Sequence, residues 1–263
     1  MLINLSVAMF QTGKHFWPFR PNNPQHRRRF VVKVYLQFVL FVMIGLFHWV
    51  LMITALDTWT VWLVRNHSTA LLLAFVMGIF LFLLFSLSRQ MRSLCFLNWL
   101  TTLVIVEFLA QPMALLIVRT DLLFLLAGFL IVTLVVVIFT LLAAIMPCDL
   151  TEGGIFFLIL FMSVFVLSVY CIVMFQVIGL DWSFYIFSTL FAVMVMAFLM
   201  YHVQCIMGGR ITEAELADDK YAALLLFYEF VALFMLTLYW RPKMDHVPTM
   251  STWNPLNWSH LNN

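Results

Sequence analysis

The sequence predicts an all-α integral membrane protein, a bundle of seven transmembrane helices. Three observations predict it. The chain of 263 residues is 65% hydrophobic and 10% charged, against roughly 25% charged in soluble domains; a water-soluble fold of this length has too little polar surface to cover so much apolar side chain. The apolar residues gather into seven runs, each close to or above the roughly 20 residues that cross a bilayer as a helix. No run shows the alternation of a membrane β-barrel strand. An open strand would leave backbone groups unpaired in lipid, so each run is read as a helix.

In chain order, residues 1–29 form a polar, basic tail with Pro18, Pro21, Pro24 and the run Arg27-Arg28-Arg29, the composition of a disordered segment. The membrane domain is 30–240, with spans expected at 31–55, 69–87, 94–118, 122–146, 154–178, 183–207 and 221–240. The connections are short, such as Arg89-Gln90-Met91-Arg92 and Arg119-Thr120-Asp121; the longest late one is 208–220, GGRITEAELADDK. In the third span, Gln111 precedes Pro112. That proline removes a backbone donor and frees the carbonyl of residue 108, which predicts a kink. The polar C-terminal tail is 241–263.

Basic residues set the expected orientation. A cytoplasmic N-terminus puts Lys14, Arg20, Arg27, Arg28, Arg29, Lys33, Arg89, Arg92, Arg210 and Lys220 on the cytoplasmic side. Only Arg65, Arg119, Arg241 and Lys243 then lie opposite.

Buried ionisable groups are the candidate functional residues, because a carboxylate near mid-bilayer costs about 2.5–3.5 kcal/mol on insertion scales. Glu229 is the strongest. It lies roughly 12 Å into the last span, whose run YAALLLFYEFVALFMLTLYW holds no other carboxylate. Glu107, near the middle of the third span, is second, and Gln111 lies one turn beyond it. His202 falls near the end of the sixth span. Gln37, His48, Gln176 and Gln204 read more simply as helix-to-helix hydrogen bonds, worth about 0.6 kcal/mol each. The four cysteines form no CxxC pair and read as unpaired thiols, so no metal site and no cofactor are expected. The chain has no GxSxG, HExxH or P-loop and reads as a non-enzyme. Its expected partner is the lipid bilayer, not nucleic acid.

The segments FLMYHVQCIMGGR (198–210) and DDKYAALLLFYEFVALF (218–234), joined by an acidic loop, resemble the Bax-inhibitor/Lifeguard (transmembrane Bax inhibitor motif) family. Phe96-Leu97-Asn98, PCDLTEGG (147–154) and FVVKVYLQFVL (30–40) fit the same pattern less specifically. The resemblance implies a seven-helix protein of endoplasmic reticulum or Golgi membranes that modulates calcium leak and cell death, with calcium as the transported ion and death-regulating or channel proteins as partners. It also implies a pH-sensitive acidic pair on the sixth and seventh helices. Glu229 takes the seventh-helix position, and His202 stands where the family has its other acid. Neutral imidazole is a poor ligand for calcium, which prefers oxygen, and imidazolium repels it. The substitution therefore raises an alternative: a non-conducting interaction protein that regulates death signalling or channel partners. Glu107 and Gln111 are expected to add polar groups to the same cavity.

Overall fold

Long apolar runs fold as helices here because only intra-segment hydrogen bonds satisfy the backbone without water. Glycine, proline and charged clusters decide where each helix stops. The computed structural model describes residues 24–118, 120–152 and 154–244. Helix α1 is Pro24–Ile53, α2 is Asp57–Leu87, and the short α3 is Arg89–Ser93. Helix α4 (Cys95–Ala110) passes through a 3-10 turn, Gln111–Met113, into α5 (Ala114–Ile117). Then come α6 (Leu122–Ile145), α7 (Gly154–Ile178), α8 (Asp181–Met207) and α9 (Asp219–Met244). With α4 and α5 counted as one span, seven helices among the described residues are long and apolar enough to cross a membrane. The chain is a multi-pass membrane protein of the expected class.

Three boundaries differ from expectation, one of them the end of α9, which runs to Met244 and takes in residues 241–244 of the expected polar tail. Helix α1 starts at Pro24, so residues 24–29 of the expected disordered tail are helical; proline is tolerated in a first turn, where its missing N–H costs nothing. Residues 1–23 of that tail, and 245–263 of the other, lie outside the described residues. The expected connection at 56–68 is mostly helical, since α2 begins at Asp57 and breaks only at His67 (φ −131°, ψ 26°). Polar residues there interrupt the apolar run without ending the helix, because at a membrane edge their side chains reach water. At Pro112, where a kink is expected, the helix tightens into a 3-10 turn.

Helix α9 is the central element. Sixty-one per cent of its most apolar window is buried within the protein, against 17% for α7, which packs on α8 at the periphery. Between lipid-solvated helices the packing itself supplies the attraction, and aromatic rings supply much of it here. Trp49 stacks on Phe234 at 4.7 Å, and Phe41 meets Phe227 edge-on at 6.2 Å, joining α1 to α9. The Trp49 indole N–H also donates to the Ala110 carbonyl at 3.1 Å, beside the 3-10 turn. Helix α2 approaches α4 closely at Gly78, where a Cβ would meet Phe108 Cβ at 3.0 Å; the Tyr228 hydroxyl of α9 donates to the Gly78 carbonyl at 3.0 Å.

One end of the bundle is tied by charge. Helix α8 stops at Gly208, whose φ of +77° suits glycine, and the following loop folds back so that Ala214 N–H donates to the Cys205 carbonyl at 2.9 Å. The buried Arg27 of α1 donates to the carbonyls of Cys205 (2.6 Å) and Ala214 (2.7 Å). Arg92 meets Asp218 at 3.4 Å, and Arg89 meets Glu215 at 3.1 Å. Asp219 takes Lys33 at 2.9 Å, Gln37 at 2.7 Å and Lys220 at 3.4 Å. The positive charges of α1 and α3 thus clamp the acidic loop between α8 and α9.

Candidate functional site

His202 lies five residues before the end of α8, and Glu229 ten residues after the start of α9. At 1.5 Å per residue those positions are roughly 8 Å and 15 Å in from the clamped end. Both side chains are buried, each residue 7% exposed. His202 Nδ1 and Glu229 Oε1 are in direct hydrogen-bond contact. The Phe198 ring lies parallel to the imidazole at 6.0 Å, and Tyr201 meets it edge-on at 5.7 Å. His202 Nε2 and Glu229 Oε2 are buried with no hydrogen-bond partner.

This arrangement constrains the chemistry. An isolated buried charge costs far more than its contacts return, so such groups pair or become neutral. With one proton between the two groups, as imidazolium and carboxylate or as imidazole and carboxylic acid, the pair carries no net charge. Removing that proton leaves a bare carboxylate inside the bundle, and adding one leaves an unpaired cation. Each change requires water or an ion to enter.

The other candidates are placed elsewhere. Glu107 faces His48 of α1 at 3.6 Å, with side chains 37% and 29% exposed, and Gln111 is exposed. The expectation that both join the central cavity is corrected. The buried face of α4 is Asn98, Thr101, Thr102, Ile105, Val106, Leu109 and Ala110, and Glu107 and Gln111 fall off that stripe. Gln37 and Gln204 behave as helix ties: Gln204 accepts from Leu150 N–H at 2.9 Å and donates to the Cys148 carbonyl at 2.9 Å. Gln176 is exposed on α7 and bonds the Tyr239 hydroxyl. All four cysteines are free, as expected. Among the described residues no group of three or more His, Cys, Asp or Glu could hold a metal ion.

Sequence reasoning missed the acidic-loop clamp, although its signal was present: four acids at 213–219 face basic residues of two other helices, α1 and α3. Two loop carboxyls outside the spans are perturbed. Burial raises the Asp218 carboxyl, and Arg92 opposes that without cancelling it. Burial also raises Asp149, but hydrogen bonds from the Thr151 hydroxyl and backbone and from Ile211 N–H, with the Arg210 charge, outweigh it and hold Asp149 below the usual range.

Comparison with protein-family models, curated proteins and solved structures gave no match.

Proposed function

We propose that this membrane protein modulates calcium leak from an intracellular store, in the manner the resemblance to Bax-inhibitor/Lifeguard proteins implies, and that the His202–Glu229 pair is its lock. The carrying observation is the buried contact between those two side chains on adjacent spans. With one proton between them, the pair presents no net negative charge to a cation. The proton must leave, or the helices must part, before Glu229 oxygens become ligands for a hard cation. Wild-type conductance is therefore low. By this reading the basic end is cytoplasmic and the protein resides in endoplasmic reticulum or Golgi membrane.

A second reading is favoured by the same histidine. A pair that excludes calcium suits a non-conducting protein that regulates death signalling or channel partners, with the clamped acidic loop as its presented surface. Calcium flux through purified protein in partner-free liposomes separates the two. Flux above that of empty liposomes supports the leak; flux at the empty-liposome level supports the interaction protein.

A further inference from the structure

Helices α1 and α6 both pack on α9 and leave a crevice between them. It has a volume of about 340 Å³ and is lined by Tyr35, Val39 and Met43 of α1 and by Thr133, Val137 and Thr140 of α6, with Phe230 of α9 among its walls. Val39, Met43 and Val137 are exposed on its flanks. The Tyr35 hydroxyl is buried without a hydrogen-bond partner, and Thr140 lines the opposite wall. The volume is in the range of ligand pockets, and the lining suits a hydrocarbon chain.

The mouth of the crevice is basic. Arg28 precedes Tyr35 by seven residues, so at 3.6 residues per turn it lies on the same face of α1, roughly 10 Å nearer the helix start. Arg28 and its neighbour Arg29 are exposed, and among the described residues no carboxylate lies within ion-pair distance of either. The nearby acids are engaged: Glu213 by Arg27, Asp219 by Lys33 and Gln37, Asp149 by Thr151 and Ile211. A free guanidinium above an apolar slot at a membrane edge matches an anionic head above an acyl chain.

We propose that the α1–α6 crevice binds one anionic phospholipid from the leaflet at the clamped end, with an acyl chain against Tyr35, Val39 and Thr140 and the phosphate on Arg28. This site is separate from the His202–Glu229 contact and does not depend on the leak reading.

The test uses the full chain reconstituted in vesicles of equal parts phosphatidylcholine and phosphatidylserine, with lipid retained after extraction counted by native mass spectrometry. The expected result is retention of phosphatidylserine over phosphatidylcholine. Arg28→Gln lowers it about fivefold, the effect of one basic residue at an anionic surface. Val39→Trp, or Met43→Trp should the first variant fold poorly, fills the slot and removes retention with Arg28 intact. Ile138→Trp, on the exposed face of α6 outside the crevice, leaves it unchanged. Equal retention of both lipids overturns the proposal. So does loss in only one of the Arg28 and crevice-filling variants, and so does displacement of the lipid by inorganic phosphate, which would assign Arg28 to a free anion.

Discussion

His202 of α8 and Glu229 of α9 meet through Nδ1 and Oε1, and neither side chain has a second hydrogen-bond partner. Among the described residues each is therefore the other's only hydrogen-bond partner.

Removing one partner exposes that dependence. His202→Ala lowers unfolding stability in detergent by about 3 kcal/mol, the cost of stranding one member of a buried pair. The double variant His202→Leu/Glu229→Leu recovers most of the loss, because it leaves no buried charge. Equal destabilisation in the single and double variants would show that the two side chains stabilise the bundle independently.

The sequence made the class of fold and the centrality of α9 legible, because one carboxylate in an otherwise apolar run must turn inward. Only the family resemblance set His202 opposite Glu229; the residue pattern alone did not pair them. The pattern misplaced Glu107 and Gln111, because position along an apolar helix sets depth but not rotation. The helices here are apolar on all sides, so no amphipathic stripe marks the inner face. The start of α2 was misread for a related reason: hydropathy registers Arg65-Asn66-His67 as a gap, whereas backbone hydrogen bonding carries the helix through most of it.

Asp219 is the hub of the clamped end. Asp219→Asn strands the buried Lys220 and weakens the Gln37 bond. The loss of stability is about 2 kcal/mol, with little of it from the exposed Lys33. Thermal unfolding of Asp219→Asn beside Lys33→Ala checks this, and the lysine variant shifts far less.

Close approach of α2 and α4 depends on Gly78. Gly78→Val forces the helices apart at Phe108 and strains the Tyr228 bond, costing about 2 kcal/mol by overpacking. Unfolding measurements on Gly78→Val and Gly78→Ala test it, with alanine the milder change.

The loop contacts of Asp149 persist in mild acid. Its carboxyl lies below the ordinary value in the fold. Its stabilising contribution is therefore complete above the unfolded pKa of about 3.9 and fades only as pH falls through the lower folded value. Hydrogen exchange at Thr151 and Ile211, corrected for intrinsic rate, is expected to stay flat from about pH 5 to 8. Loosening across that window would contradict the assignment.

The central claim is that the histidine opposite Glu229 keeps cations out. Calcium flux into liposomes holding purified wild-type protein or His202→Asp, followed from about pH 5 to 8, tests it most directly. In that interval a carboxyl raised by burial and by an ionised neighbour loses its proton. The account predicts low, nearly pH-independent flux for wild type and higher, pH-dependent flux for His202→Asp. Equal flux from the two proteins at every pH would contradict it.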